Sequence, residues 1–562
     1  MGNINKGLQK KLDVYIATST KKKSIYNTED EMVEFINSIK MFHLQNAVVN
    51  FRLDVKKIIS NLSDTELINI KITNCSFPKG ISFYECKIRG HFYFWENQCS
   101  GCDFSHCEIK GYSYFSNTVF LENVTFDYTT FFNDSFFWGV EFKKEASFRD
   151  CDFQNRIDFW CSEFRYRTDF NHSAFRKDVD FSNCIFNYDV FFQNTIWGEE
   201  KQEGTKIVFD NANFDKKISF NNSNFKTEIS FSKVISKSDI EFEKCSFWHP
   251  IISNNSILNN LSFKQSHFYS PLYLTEIKSV ANTKIDFSKI WSASLISIEC
   301  NAPQEGYKTK IDFLFNQSIF SKFSITQIAG IAITDDVFYC NGCIILGVFS
   351  IKDSYISEMQ MRDSSIIGSV VLKSHIENID LTNSAPSGRI LTNSNYCINP
   401  KNRDTANILR HEKEKEGDII LALQYREIEM KLYNKDLSNL AIKKRVEKIE
   451  ENIIVKLNFL SNKYGQSWVR GVVFTSIIAV VSIIILQFIT GEISFTGAIS
   501  DFILIKPIFW KEALLFLWLP STSLESIYDY GLLYLIIYVL GKILIAYGII
   551  QTVLSFRKYS KI

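Results

Sequence analysis

The stretch Ser113–Phe142 reads SYFSNTVFLENVTFDYTTFFNDSFFWGVEF, and its large residues recur at alternating steps of five and six. Extended in both directions, the pattern becomes two series, each with a spacing of 11 residues. The first contains Phe104, Phe115, Phe126, Phe137, Phe148, Phe159, Phe170, Phe181 and Phe192; the second contains Ile109, Phe120, Phe131, Phe142, Phe153, Phe164, Phe175, Phe186 and Trp197. Neither a helical nor a strand period sustains such a run, so the pattern predicts a repeat solenoid.

Each large residue is preceded, two positions earlier, by a small or β-branched residue, as Cys107 precedes Ile109. Four units make a coil of about 22 residues, so Phe153 should stack on Phe131 one coil away, with coils ~4.8 Å apart. We expect the phenylalanines of both series to form a buried ladder core. The pattern resumes after the polar insertion Gly198–Gly204 and fades beyond Ser270, where we expect no fixed register.

This layout resembles the pentapeptide-repeat proteins, in the Phe-rich variant whose units alternate five and six residues. The resemblance implies a right-handed, four-sided β-helix with about 15 coils. We therefore expect a mainly β solenoid followed by a helical connector and two transmembrane helices. The expected domains are an N-terminal cap region (1–60), the repeat β-helix (61–400), the connector (401–467) and a membrane domain (468–562).

No catalytic, cofactor-binding or metal-binding residues are predicted, and we do not expect an enzyme. Seven of the 13 cysteines occupy the small position of the repeat, where cysteine behaves as a small buried apolar residue. The pairs Cys99–Cys102 and Cys340–Cys343 are too far apart along a rod to share one zinc ion. His172 precedes Ser173, but Ser173 occupies an inward position. No phosphate-binding glycine loop is present, and no cofactor is expected.

The charge of the chain argues against nucleic acid as a partner. It has 63 basic and 62 acidic residues, whereas a phosphate-binding surface needs a basic excess. Residues 101–200 hold 17 acidic and nine basic residues, which is far below the charge density of a duplex. This low charge density argues against a regulator that mimics DNA, which is the least favoured function for this chain.

After Pro400 the repeat gives way to helical patterns. Asn402 or Asp404 could cap a first helix, and Gly417–Asp418 indicates a break with a new cap. Val446, Ile449, Ile453, Leu457 and Leu460 share one helical face, which fits either a packed connector or an oligomerisation stem.

Two apolar runs, about 470–490 and 531–556, are long enough to span a membrane. Between them, about 508–520 predicts an interfacial or re-entrant segment that is too short to cross. Basic residues precede the first run and follow the second. Both chain ends and the β-helix should therefore face the cytoplasm, and the protein should be a multi-pass inner-membrane protein. The start of the chain has no apolar signal-peptide core, and the many cysteines fit a reducing compartment.

A span, a short helix and a second span are also the layout of two-helix ion channels. However, Pro520–Leu524 reads PSTSL and lacks the glycines of a potassium filter. Lys542 falls near the middle of the second span, where a charge is costly, and Gly541 beside it permits close helix packing. Ser482 or Ser476 is a possible hydrogen-bond partner. Lys542 predicts either a functional charge or a polar contact that locks an oligomer.

Two functions remain from the sequence. The first is a membrane-anchored scaffold or sensor whose β-helix binds an unknown protein partner. The second is an oligomeric gated pore with the β-helix as its sensor. Under either function, the expected partners of the chain are the lipid bilayer and an unknown protein, and residues 401–562 could form a homo-oligomer.

Overall fold

The structure is a computed structural model that describes residues 24–39, 42–59, 69–199, 204–300, 311–326, 337–392, 398–439, 448–491, 507–517 and 531–559. Within these ranges the chain forms a parallel β-solenoid of about 15 turns, followed by helices. It divides into two compact units: one holds 1–379 and 383–399, and the other holds 380–382 and 400–562.

Each turn of the solenoid has four short strands, and a strand pairs in parallel with the strand four places further along the chain. Cys102–Asp103 thus pairs with Val124–Thr125, and Glu108–Ile109 pairs with Thr130–Phe131. The offset is 22 residues in both cases. The solenoid is therefore four-sided and parallel, and we call its sides A to D.

The strands from Ile70 to Phe268 follow this order on the four sides. Side A comprises Ile70–Thr73, Phe92–Trp95, Ser113–Tyr114, Ser135–Phe136, Ile157–Asp158, Val179–Asp180, Lys206–Val208, Glu228–Ser230 and Ile251–Asn254. Side B comprises Ser76–Phe77, Gln98–Cys99, Val119–Phe120, Glu141–Phe142, Glu163–Phe164, Ile185–Phe186, Asn213–Phe214, Ile235–Ser236 and Ile257–Ser262. Side C comprises Ile81–Ser82, Cys102–Asp103, Val124–Thr125, Ala146–Ser147, Thr168–Asp169, Val190–Phe191, Ile218–Ser219 and Asp239–Glu241. Side D comprises Lys87–Ile88, Glu108–Ile109, Thr130–Phe131, Asp152–Phe153, Ala174–Phe175, Ile196–Trp197, Asn224–Phe225, Ser246–Phe247 and His267–Phe268.

Two of the four corners in each coil are tight turns with one residue in the left-handed region. At Phe126–Thr129 the Thr129 N–H donates to the Phe126 carbonyl at 3.1 Å, and φ of Tyr128 is 60°. The equivalent positions His106, Asn117 and His172 also have positive φ. This is the geometry of a type II turn, which fixes the five-residue step of the repeat.

The interior is filled by the predicted phenylalanine ladder. All 17 aromatic rings of the two series are at most 1% exposed. Phe153 stacks on Phe131 at a ring-centroid distance of 5.0 Å, and Phe164 stacks on Phe142 at 4.6 Å. Neighbouring columns meet edge to face, as in Phe148–Phe159 at 5.5 Å and 86°. Such offset and T-shaped contacts are the favourable aromatic geometries.

Most of the small residues two positions before the rings of the second series are Ser, Thr or Cys, and these have a polar role in addition to their size. The Ser173 hydroxyl donates to the Phe148 carbonyl of the preceding coil at 2.6 Å and accepts the Cys151 N–H at 2.9 Å. The Cys151 thiol lies 3.0 Å from the Phe126 carbonyl. These residues close the backbone hydrogen bonds that the tight turns would otherwise leave open.

The ladder continues beyond Ser270, although the sequence shows no fixed register there. Phe263, Phe287, Phe315 and Phe338 stack in turn at 5.2, 5.1 and 5.0 Å. Their sequence offsets vary because the strands and loops of these coils differ in length. The strands are Leu272–Asp286, Trp291–Cys300, Ile311–Leu314, Ile319–Thr326, Val337–Tyr339, Ile344–Gln360, Ser365–Ile366, Ser369–Asp380, Ala385–Pro386, Arg389–Thr392 and Ile398–Pro400.

The solenoid also begins earlier than the predicted boundary at residue 60. Phe42–Gln45 pairs with Ile70–Thr73, and Leu53–Asp54 pairs with Ile81–Ser82. Further strands in this region are Ser24–Tyr26 and Ala47–Val49, and the helices are α1 (Glu29–Ile39) and α2 (Val55–Ile59). The sequence hides these coils because Phe occurs there too rarely to mark a period.

The second unit contains helices α3 (Arg403–Glu416), α4 (Ile419–Ser438), α5 (Ile449–Asn462), α6 (Trp468–Ile489), α7 (Pro507–Leu517) and α8 (Leu532–Tyr559). Asn402 caps α3 by accepting the Thr405 N–H, Gly417 ends it with φ 80°, and Asp418 caps α4. These caps confirm the predicted helix boundaries. α6 and α8 are long and apolar enough to cross a membrane, and they match the two predicted spans.

Candidate membrane anchor and its lysine

Small residues line the contact between α6 and α8. Gly471 of α6 meets Thr552 of α8, where an added Cβ would lie 2.3 Å from the threonine Oγ1. Gly548 meets Thr475 at the same distance of 2.3 Å. Because the contacts advance along α6 while they retreat along α8, the two helices form an antiparallel hairpin. Small residues let membrane helices approach closely.

The polar side chains of this contact are bonded within their own helices. Thr475 Oγ1 donates to the Gly471 carbonyl at 2.7 Å, and Thr552 Oγ1 donates to the Gly548 carbonyl at 2.8 Å. Ser555 is fully buried and donates to the Gln551 carbonyl at 2.9 Å. The hairpin therefore keeps these hydroxyls away from its outer surface.

The outer surfaces of both helices are mainly apolar, although Ser476 of α6, the other candidate partner of Lys542, is exposed there. Ile477 of α6 is 55% exposed, and Leu532 of α8 is 74% exposed. The other exposed apolar side chains are Trp468, Val469, Val472, Val473, Val481, Ile484, Ile485, Phe488, Leu533, Ile536, Val539, Leu540, Ile543, Ile549, Ile550, Val553, Leu554 and Phe556. A surface of this kind is unfavourable in water and suits a hydrocarbon environment. The hairpin thus fits a membrane-anchored repeat protein.

Lys542 points toward the short helix α7. Its Nζ donates to the Phe516 carbonyl at 2.8 Å and lies 4.7 Å from the centre of the Phe516 ring. The Tyr538 ring centre is 5.6 Å from the same nitrogen. Phe516 is the penultimate residue of α7, so the lysine supplies a positive charge at the carbonyl end of that helix.

Ser482, the partner proposed from the sequence, occupies a different place. It is 7% exposed and packs against Gly541, where an added Cβ would lie 2.7 Å from its Oγ. The position thus contributes to close helix packing. Sequence spacing could not reveal the Phe516 carbonyl as a partner, because that contact depends on how α7 folds back.

α7 packs against both helices of the hairpin. Phe516 belongs to an apolar cluster with Ala479, Ile483 and Ile545, and its ring meets that of Tyr538 at 5.4 Å and 83°. This agrees with the predicted short segment between the spans. The segment Pro520–Leu524, which lacks the glycines of a potassium filter, lies outside the described residues.

α5 runs beside the start of the hairpin. Asn458 accepts from the Tyr547 hydroxyl at 2.6 Å, and Asn462 donates to Gln551 at 2.5 Å. On its other face Ile453 is 52% exposed and Leu460 is 59% exposed, which is the apolar face recognised in the sequence. A helix with this pattern suits the interface of a membrane.

A cluster of charges joins α4 to the turn between α5 and α6. Glu427 Oε1 lies 2.7 Å from Lys431 Nζ and 3.2 Å from Lys463 Nζ. Burial opposes ionisation of Glu427, but hydrogen bonds from the two lysines outweigh it and lower the pKa of this carboxyl group. The cluster thereby holds α4 against the end of α5, just before α6 begins.

In the solenoid, the cysteine pairs that were considered as metal sites belong to the buried interior. Cys99 and Cys102 are buried, as are Cys340 and Cys343. Burial raises the pKa of the Cys86 thiol to about 12 and that of the Cys245 thiol to about 12, which keeps both protonated. Within the described part of the chain, no three His, Cys, Asp or Glu residues are grouped so that they could hold a metal ion.

Comparison of the chain with protein-family profiles, with curated proteins and with solved structures found no match. The repeat solenoid and the two apolar helices stand on the structure itself. The pentapeptide-repeat family remains a prediction from the sequence.

Proposed function

We propose that this chain is a non-enzymatic scaffold that is anchored in the inner membrane and uses its cytoplasmic solenoid to bind another protein. The observation that carries the anchor is the mainly apolar outer surface of the α6–α8 hairpin, in which the Thr475 and Thr552 hydroxyls are bonded within their own helices. Supporting the scaffold, the stacked coils form a rigid lateral surface, which suits the binding of an extended partner.

The competing function is a gated pore, for which Lys542 was the main argument. The bond from Lys542 to the Phe516 carbonyl gives this charge a structural use inside the membrane domain. Thr475 is buried against Gly548 in the hairpin contact, and Ser555 is fully buried, so these hydroxyls do not form a water-lined stripe on the outside. Both observations favour the anchor.

Reconstitution of the full-length protein in liposomes tests the two functions against each other. The anchor predicts that the protein resists extraction by alkaline carbonate and that potassium or sodium efflux equals that of protein-free liposomes. Efflux above that level, lost in Lys542→Leu but retained in Lys542→Arg, would instead establish the pore. Release of the protein by carbonate would contradict both functions.

A further inference from the structure

Side A of the solenoid carries an unusual outer surface over four successive coils. Its strands there are Phe92–Trp95, Ser113–Tyr114, Ser135–Phe136 and Ile157–Asp158. The outward positions on and beside these strands are rich in aromatic residues. We call this surface the aromatic face; it consists of His91, Tyr93, Trp95, Tyr112, Tyr114, Phe136, Trp138 and Trp160.

The aromatic face is accessible and continuous. Trp95, Trp138 and Trp160 are 39%, 41% and 37% exposed. His91 stacks on Tyr112 at 5.3 Å, and Phe136 meets Trp138 at 4.9 Å. The ladder core inside the solenoid does not need these rings, since it is complete without them. Exposed aromatic patches of this size mark interaction surfaces, where Tyr and Trp are enriched.

Ring orientation restricts the class of ligand. Tyr93 and Tyr114 stack at 5.1 Å with an angle of 3°, and Tyr114 and Phe136 stack at 5.2 Å with an angle of 20°. The faces of these central rings are therefore covered by each other, and their edges point outward. Nucleic-acid bases and sugar rings bind to open ring faces, so this column disfavours both.

Carboxylates lie on the same side, beginning in the coil of Phe136 and continuing into the next coils. Asp134 is half-buried beside Phe136, Asp178 is exposed and Asp180 is half-buried. Asp158 is 2% exposed. Its carboxylate pairs with the Arg156 guanidinium at 2.7 Å and accepts the backbone N–H of Trp160 at 3.0 Å. The surrounding segment 101–200 has 17 acidic and nine basic residues. An aromatic block is thus followed along the solenoid axis by an acidic block.

We propose that the aromatic face and these carboxylates together bind an extended peptide segment of a partner protein, with apolar side chains followed by lysines or arginines. This proposal rests on the proposed scaffold function and specifies its binding surface. The five coils from Tyr93 to Asp180 span ~19 Å, which corresponds to about six extended residues. Basic side chains can lie over the exposed indoles of Trp138 and Trp160 and reach the carboxylates. A second copy of this chain would bring like charges together on this side.

The test uses the full-length protein in nanodiscs of zwitterionic lipid. Random dodecapeptides displayed on phage are selected for binding to these discs, after removal of peptides that bind empty discs. We expect enriched peptides to combine apolar residues with lysine or arginine. Fluorescence anisotropy with the most enriched peptide should show weaker binding at 500 mM than at 50 mM NaCl, as surface charge pairing requires.

Variants then locate the site. Trp138→Ala/Trp160→Ala should raise the Kd of that peptide at least tenfold, and Asp178→Asn/Asp180→Asn should raise it about three- to tenfold. Trp248→Ala, which removes an equally exposed ring on side D, should leave the Kd unchanged. Equal thermal melting of all variants checks folding, and the aspartate pair gives a second reading if the tryptophan pair unfolds.

Three outcomes would overturn the proposal. They are enriched peptides without basic residues, a Kd unaffected by both double variants, or chitohexaose binding that is lost in the tryptophan pair. In the first two cases the scaffold function stands with a different surface or partner. If no peptide of any composition is enriched over empty discs, the scaffold function itself fails.

Discussion

Phe153 lies in the middle of a ring column on side D, between Phe131 and Phe175 at 5.0 and 5.1 Å. Its side chain is fully buried. Replacement by alanine removes the transfer free energy of a phenyl ring and leaves a cavity that the regular coils cannot close. We expect Phe153→Ala to lower the local stability by ~3–5 kcal/mol, measured by native-state hydrogen exchange of the adjoining strands.

The matched control is Phe132→Ala, since Phe132 is half-buried on the outer surface of the same side. Its removal should cost less than ~1 kcal/mol. If the two variants exchange at the same rates, the ladder does not carry the stability of the coil.

Cys161 is the exposed thiol among the described cysteines, and it occupies a tight turn with φ 57°. Partial burial, together with the charges of Asp180 and Asp158, raises the pKa of its thiol above the ordinary value of 9.0. The thiolate fraction below the pKa rises tenfold per pH unit. Alkylation of Cys161 should therefore accelerate about tenfold per unit from pH 7 to pH 9, without a plateau.

Mass spectrometry of the alkylated protein measures this rate at each cysteine. Cys86 and Cys245, whose pKa values are raised to about 12, should remain unmodified until the solenoid is unfolded. A plateau below pH 9 at Cys161 would show that its pKa is not raised.

For single residues, the sequence predicts the position of a side chain better than its hydrogen-bonding role. The 11-residue spacing was sufficient to place Phe131 and Phe153 in one column, because side-chain volume repeats with the backbone. The hydroxyl of Ser173 illustrates the limit. Its bond to the Phe148 carbonyl depends on the path of the preceding coil, although the excess of Ser, Thr and Cys at this position was a visible signal.

Among the helices, the α6–α8 contact leaves no space at Gly548. An added Cβ would lie 2.3 Å from Thr475 Oγ1 and 3.2 Å from the Phe474 ring. Gly548→Leu should force the helices apart and cost roughly 1–3 kcal/mol, seen as a lower Tm in detergent micelles. Ile549→Leu, a substitution on the outer surface, should leave the Tm unchanged. Equal Tm values for the two variants would contradict the close hairpin.

The bond between Lys542 and the Phe516 carbonyl should hold the last turn of α7 in place. In Lys542→Leu that carbonyl loses a charged donor, a contact worth roughly 1.5–3 kcal/mol. We expect amide exchange in the last turn of α7 to become about 10- to 100-fold faster while membrane insertion is retained. Lys542→Arg serves as the control because it keeps the charge. Unchanged exchange in Lys542→Leu would remove this role from the lysine.

Element boundaries followed from the sequence wherever local chemistry determined them, as at Asn402, Gly417 and Asp418. They were lost beyond Ser270, since Phe263, Phe287 and Phe315 stack in one column at unequal sequence offsets. A variable coil length leaves the ladder intact in space but destroys the period in the chain. The partner of Lys542 was hidden for a related reason: it is a backbone atom of a segment that folds back.

For the whole molecule, the order of solenoid, connector and spans could be predicted because each part has a different periodicity. The surface proposed for peptide binding could not. Tyr93, Tyr114 and Phe136 lie in three successive coils, 21 and 22 residues apart in sequence, and become neighbours only when the coils are stacked. The same residues occur at outward positions, where the repeat itself places no restriction on side-chain type.

The side of the membrane on which the solenoid lies can be tested with one native residue. Basic residues before the first span and after the second, among them Lys463 and Arg470, predict a cytoplasmic solenoid. Cys161 is exposed in the folded coils, so a membrane-impermeant maleimide will reach it only from the solenoid's own side. In a Cys397→Ser background, intact spheroplasts should show no labelling of Cys161, and permeabilised spheroplasts should show full labelling. Cys161→Ser, which removes the target, controls for other thiols. Labelling of intact spheroplasts would place the solenoid outside the cell and reverse the orientation of both spans.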